Sequence, residues 1–371
     1  MIKFSEFLLY FWAIFICLTL NIGSELTSDC IVTEHSQLMN ATENCLEIVV
    51  RDLTMPGGLT AHFHLKDGAT VTFEGTTVFG YIQWPDWGYP LMHFKGNNVT
   101  VEGAPGSLFD GRGALYWDGI GDNGAPKPYF IHLQVNNSVF RNINLLNCPH
   151  HCTIINGSDG LTLTGWNIDC SYGDEHGGHN TDGFDVVSGN NIVIEDSTVI
   201  NQDDCVAVNQ GFNMSFSGLR CSGSHGLSLS VGFSNTSYYD NTVRNITYSN
   251  STLTHSMTAI HIKTHNDGGP GEITDVTYED ISFTDVTKYA INIQQDYAKG
   301  RGTKEPKGNV PITDLKIRNI KGTLSSTSKG SMQVYILCAE RACTEWNWSD
   351  VEVIGGAQNN SCNYTPDGYV C

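Results

Sequence analysis

The chain is poor in positive charge. Its 371 residues carry 20 Lys plus Arg against 39 Asp plus Glu, a formal charge of −19. Without a local cluster of basic residues, an electrostatic footprint for nucleic acid is excluded. A polyanionic ligand would have to find cations placed locally, because the global field repels it. Long apolar runs are missing after the N-terminus, so no later segment can span a bilayer. Helix-period apolar stretches are missing after the first 50 residues, which removes architectures that alternate strands with helices. Asn-Gly and Asp-Gly turns between neighbouring strands are scarce, which disfavours a hairpin-built sandwich. With 16% charged and 40% hydrophobic residues, the chain is too apolar for disorder and too polar for a multi-span membrane protein.

What is present begins with a leader. Lys3 precedes an apolar run from Phe7 to Leu20, and small residues Gly23 and Ser24 follow. The pattern predicts a secretory signal peptide over residues 1–23 and a single domain over 24–371, secreted and not membrane-bound. Secretion makes disulfides the default state of cysteine. Of 12 cysteines, Cys17 falls in the leader and leaves an odd number. Short spacings pair Cys30 with Cys45, Cys338 with Cys343 and Cys362 with Cys371, and Cys205 with Cys221 across neighbouring repeats. Cys148, Cys152 and Cys170 remain, so at least one of them lacks a partner within the chain. The segment Cys148-Pro-His-His-Cys152 fits no standard zinc spacing. Asn-x-Ser/Thr sequons are dense, Asn213, Asn235 and Asn245 among them, and those that carry glycans must lie on the surface.

A loose repeat runs through most of the chain. Short alternating segments, usually opened by Asn, Asp or Gly, recur at Asn137, Asp159, Asn191, Asn213, Glu272 and Pro311. Strands at this spacing, without helices between them, predict an all-β fold: a right-handed parallel β-helix, a single-domain solenoid whose coils of roughly 20–30 residues stack on one another. Inward β-branched residues and Asn ladders are expected to fill the core, and the Cys-rich ends to cap it.

Acidic clusters mark the middle of this stack: Asn180-Thr-Asp182-Gly-Phe-Asp185, then Asn201-Gln-Asp203-Asp204-Cys205, then Gly223-Ser-His225-Gly226, then His261-Ile-Lys263. Asp182, Asp203 and His225 recur at the shorter repeat interval, which stacks them in one row about 4.8 Å apart. Like charges at that separation raise the pKa of one carboxyl. An acid and a base are thereby separated, as glycosidic hydrolysis requires. His225 can tune its neighbour's proton affinity, and Lys263 can attract an anionic sugar. Adjacent Asp203 and Asp204 on a regular strand would point oppositely, so both serve one site only where the backbone bends.

These four motifs, in this order, resemble the pectin-degrading polygalacturonases of glycoside hydrolase family 28, most of all the fungal-type endopolygalacturonases. Thr72–Tyr81, Gln294–Tyr297, Trp346-Asn-Trp348 and the terminal Cys pairs extend the likeness over nearly the whole mature chain. The resemblance implies inverting, endo-acting hydrolysis of α-1,4 bonds in polygalacturonic acid (pectin), without metal or cofactor. It implies a monomer whose partners are the polysaccharide and plant polygalacturonase-inhibiting proteins. By that likeness Asp203 protonates the leaving oxygen, Asp182 and Asp204 activate water, and His225 supports the acid. Asn180, His261 and Lys263 would bind substrate, and Tyr289 would line the sugar site.

Three departures stand out. His261 replaces the usual Arg, which predicts weaker galacturonate binding, an acidic shift or a changed substrate. Ser224 replaces a Gly, and Leu227–Gly232 is one residue short, which could displace His225. The alternatives are a weakened or inactive homologue that binds galacturonan or decoys inhibitors, or an exo-acting or rhamnogalacturonan-directed hydrolase. A pectate lyase would share the fold but needs calcium and makes unsaturated products.

Overall fold

A computed structural model describes residues 28–371, so the leader expected over residues 1–23 lies outside the described residues. Among them, 28 strands join through parallel pairings into one continuous sheet system. One antiparallel pair, Tyr297–Ala298 with Arg301–Gly302, is a local excursion. The architecture is the expected right-handed parallel β-helix, and no helix among the described residues is long and apolar enough to cross a membrane.

Alternation within each strand builds the core. Residues at period two face inward and meet their register partners in the next coil. One such column runs Phe63, Phe94, Leu133, Ile155, Val186, Val208, Leu229, Ile262, Ile293 and Ile336. All ten are buried. Aromatic members stack along the axis, as Tyr248 and Tyr278 do with ring centroids 4.7 Å apart and planes within 4°. No single coil encloses its own apolar face, so the stack is cooperative.

Asparagine works at the corners rather than in the core. Asn191, Asn213 and Asn245 take left-handed φ values of 53°, 59° and 57°, a conformation that Asn tolerates better than most residues. Their amides form a ladder on the surface: Asn245 Nδ2 donates to Asn213, Asn213 to Asn191, and Asn191 to Asp159, at 2.9, 3.2 and 2.6 Å. The expected Asn ladder therefore exists, but it fastens turns at the surface.

Both ends are closed as expected. The helix His35–Asn44 buries Leu38 and Ala41 over the first coils, and Cys30–Cys45 ties down its base. At the other end buried Trp346 and Trp348 lie near the Cys338–Cys343 and Cys362–Cys371 bridges. Cys205–Cys221 links adjacent coils. Cys148 pairs with Cys152, leaving Cys170 as the buried free thiol, which burial pushes up to about 12.

Candidate active site

Asp182, Asp203 and His225 fall on three consecutive coils and meet at one site, but not at one register place: Phe184 pairs with Val206, which sets Asp182 opposite Asp204, while Asp203 meets His225. Gly183 N donates to Asp204 O at 2.9 Å, and His225 N donates to Asp203 O at 2.7 Å. The shortened segment has not displaced His225, whose Nδ1 lies 3.0 Å from Asp203 Oδ1. Ser224 is fully buried, with its hydroxyl 2.9 Å from that of Ser256 in the next coil.

The backbone bend needed to aim both adjacent carboxyls at one site is a β-bulge. Asp204 pairs with Gly226 but Val206 pairs with Leu227, so Cys205 is the extra residue. Buried Asn201 holds this irregular backbone. Its Nδ2 lies 3.0, 3.0 and 2.9 Å from the carbonyl oxygens of Thr181, Asp203 and Asp204.

Each carboxyl has distinct company. Asp203 accepts from Asn180 Nδ2 at 3.0 Å, and from the Asp204 backbone N–H at 2.8 Å, besides facing His225. Asp204 accepts from Lys263 Nζ at 2.9 Å and from the Ser228 hydroxyl at 2.6 Å. Asp182 has Oδ1 buried without a hydrogen bond, and its nearest cation is His151 Nε2 at 3.6 Å. His151 Nδ1 in turn contacts Asp185.

These surroundings separate the carboxyls electrically. Burial, then the charge of Asp203, pushes Asp182 well above the usual carboxylate range. Burial acts on Asp203 in the same sense, but His225 and then Lys263 outweigh it and hold Asp203 well below that range. His225 is raised in return: burial opposes its charge, and Asp203 overrides it. His151 behaves likewise, pushed up to about 10 because Asp182 and Asp185 outweigh burial. Asp182 is thus raised, as the spacing predicts, and buried Asp185 beside it is raised too, by burial first.

The binding candidates fare differently. Asn180 adopts φ 51° and is fully engaged, its Oδ1 accepting from Asp122 N and lying 2.8 Å from His179 Nδ1 while its Nδ2 donates to Asp203. Lys263 is no free cation, being ion-paired to Asp204 with Nζ 5.3 Å from the Tyr297 ring centre. His261 is buried with Nδ1 unpartnered, and burial, then Lys263, His225 and Lys288, push its imidazole well below 6.5. It therefore faces the cleft as a neutral ring, and its own charge gives no acidic shift in the free protein. Tyr289 lies on the Asp204–Gly226–Thr258 side of the stack, as register partner of Thr258 and three coils beyond Asp204. It sits next to exposed Lys288, whose Nζ is 5.3 Å from the Tyr289 ring centre.

Three residues at this site were not singled out for it beforehand: His151, which neighbours Asp182; Tyr297, which covers Lys263; and Lys288, an exposed cation beyond His261. The Gln294–Tyr297 motif was a signal for Tyr297. His151 and Lys288 carried none that spacing could reveal. Asp203, Asp204 and His225 offer ligand atoms within 4.8 Å of one another. Lys263 already neutralises Asp204 there, and His225 is itself raised toward the cationic form, so the set suits proton transfer better than cation binding.

A proton and a base kept apart by their surroundings are what cleavage of a glycosidic bond asks of a protein, and in class the molecule is a β-helix glycoside hydrolase. The model of glycosyl hydrolases family 28 matches residues 45–371. A protein named Polygalacturonase from Phaedon cochleariae is 47% identical over 349 residues, which are 93% of this chain and 94% of its own. A Probable endopolygalacturonase A from Neosartorya fischeri is 41% identical over 349 residues, 93% of this chain and 92% of its own. Among solved structures, endopolygalacturonase I from Stereum purpureum, complexed with two galacturonate, superposes with a TM-score of 0.79 at 30% identity, covering 92% of this chain and all of that one. The chain belongs to glycosyl hydrolases family 28.

Proposed function

We propose that this chain is a secreted polygalacturonase that hydrolyses α-1,4-galacturonosyl bonds in homogalacturonan within the chain and with inversion. The observation that carries the reading is Asp203, held between His225 Nδ1 and Asn180 Nδ2 beside Asp204, which is ion-paired with Lys263.

Asp203 is the acid that reaches the leaving oxygen. At rest it is ionised, so its proton must arrive. Substrate closing over the row removes water, and a drier site disfavours the separated His225–Asp203 ion pair. A proton then passes from Nδ1 to the carboxylate along the existing hydrogen bond. Once Asp203 is neutral, the repulsion that raised Asp182 falls away. Asp182 then loses its own proton to solvent, and one carboxylate of the Asp182–Asp204 pair takes a proton from the attacking water as the water oxygen bonds to the anomeric carbon and the bond to the leaving oxygen, protonated by Asp203, breaks. Asp182 and Asp203 titrate as a pair rather than singly. Exposed Lys288 and neutral His261 supply donors to a uronate, which answers the need for local cations in a chain of net charge −19.

Five disulfides support passage through an oxidising compartment. The enzyme acts as a monomer, and plant inhibitor proteins would act by covering the cleft. The deciding experiment is chromatography of polygalacturonate and oligomer digests, with Asp203→Asn as control. Endo action gives a spread of oligomers early, and proton NMR of the first products gives the inverted anomer. Loss of about three decades of kcat is expected in Asp203→Asn. Binding without new reducing ends would sink the enzymatic reading, monomer release from the start would make it exo-acting, and products absorbing in the ultraviolet would make it a lyase.

A further inference from the structure

The outer face that carries the carboxyl row also carries, nearer the N-terminal end, a second group of ionisable side chains that hydrolysis does not use. On the strand Ala61–His64 the exposed His62 and His64 flank inward-facing Phe63. In the next coil His93 is the register partner of His62, and in the coil after that His132 is the partner of His93. The column continues through Ile154 to Asp185. His93 is therefore three coils from Asp185, on the order of 14 Å at strand spacing.

The three nearest imidazoles converge. The ring centres of His62, His64 and His93 are 5.3 to 5.8 Å apart. Each ring offers one nitrogen, and these nitrogens lie within 4.8 Å of one another. His93 Nε2 is buried with no hydrogen-bond partner, and the same holds for His132 Nε2 behind it. The stack of His132 on His93, with centres 4.8 Å apart and planes within 15°, fixes the His93 ring.

We propose that His62, His64 and His93 bind one divalent late-transition-metal ion, of the zinc and copper class, at a site separate from the hydrolytic carboxyls. Two imidazoles at i and i+2 of one strand and a third directly across from the first form a tripod with one open position, a donor set that suits zinc, copper or nickel. Calcium and magnesium want oxygen donors, and these three side chains supply none. Zinc–nitrogen bonds of about 2.0–2.1 Å place tetrahedral nitrogens about 3.4 Å apart, within reach by ring rotation at the two exposed positions.

The rings are already in the ligating form. Burial, then Lys95, lowers His62, and burial, then His62 and Lys95, lowers His64. His93 is lowered to about 4, by burial first and then by His132, Lys95, His64 and His62. His132 is lowered by burial and Lys95, and His35 faces His62 from the N-terminal helix. A metal therefore displaces no proton from these rings at neutral pH. Lys95 is the one opposing charge of the group, and it is exposed and free to swing away.

The test is calorimetric titration of the full chain with zinc chloride at pH 7.5, beside cobalt(II) absorption spectra. One zinc per chain is expected, with Kd on the order of micromolar, and intense visible bands should mark tetrahedral cobalt. His62→Ala and His64→Ala change exposed side chains, so the fold should persist, as circular dichroism will check. Each should weaken binding by about tenfold or more, and the double variant should lose it, while His255→Ala changes nothing. Absence of zinc binding to the parent chain, or one-to-one binding that survives the double substitution, overturns the site.

Discussion

Lys263 Nζ lies 2.9 Å from Asp204 Oδ2, with the two side chains only 9% and 3% exposed. A pair so deeply desolvated is expensive to break from one side, because the remaining charge stays buried without compensation. Lys263→Met should lower stability by about 3–5 kcal/mol and remove nearly all activity, since Asp204 then loses its buried counter-charge and hydrogen-bond donor. Chemical denaturation together with initial rates at several pH values checks this. A variant as stable as the parent would show that the ion pair contributes nothing.

A pH-dependent stability follows from His151. Its imidazole titrates near 6.5 when unfolded and at about 10 in the folded chain. A raised pKa stabilises fully below the unfolded value, and that contribution is lost as pH rises toward 10. Each such group costs about 1.4 kcal/mol per pH unit across its window. His225 is raised too and acts in the same direction. The lowered histidines, His93, His150 and His265 at about 4 with His62, His64, His132 and His261, act only below 6.5. Urea midpoints should therefore fall steadily from pH 6.5 to 9.5, and His151→Gln should start lower and fall less. A parent chain with a flat profile over that range would contradict the charged His151.

His261→Arg tests the departure from the family pattern. A neutral ring with a free Nδ1 offers a uronate one donor, whereas guanidinium offers a fork. The new cation would join Lys263, His225 and Lys288 in a crowded pocket, at an overpacking cost of about 1–3 kcal/mol in stability. KM for polygalacturonate should fall by about tenfold with kcat nearly unchanged, as expected of binding that is uniform in ground and transition states. A fall in kcat with KM fixed would mean that position 261 acts on the carboxyls instead.

How far these residues could be read beforehand depended on how regular the coils are. Asp182, Asp203 and His225 recur at one coil length, so their meeting at one site was visible as arithmetic. The bulge at Asp204–Val206 was not, because a slip in register leaves no mark in composition. An exact interval also misleads by one place: Val139 sits 22 residues before Leu161, yet it is Ser138 that pairs with Leu161. After His225 the coils lengthen, and Tyr297 reaches Lys263 from a strand whose spacing predicts nothing. His151 meets Asp182 and Asp185 through a loop closed by Cys148–Cys152, a bridge that the odd cysteine count left open. The asparagine ladder belongs to the corners and not to the core, a difference that a period-two pattern does not carry, since it does not distinguish a strand from its corner.

The corner position of the asparagine ladder makes the sequons informative. Asn213 Nδ2 donates to Asn191, and Asn245 Nδ2 donates to Asn213, at 3.2 and 2.9 Å. A glycan is attached through this same nitrogen, so modification would crowd each rung while the corner still needs its left-handed backbone. Asn235 lies in an exposed loop outside the ladder. Expressed in a secretory eukaryotic host and mapped by peptide mass spectrometry, the chain should carry a glycan at Asn235 and none at Asn213 or Asn245. Asn213→Ala removes two ladder hydrogen bonds and should cost about 1–2 kcal/mol, whereas Asn235→Ala should be neutral within about 0.5 kcal/mol. Full occupancy at Asn213 in correctly folded, active protein would show that the ladder is dispensable.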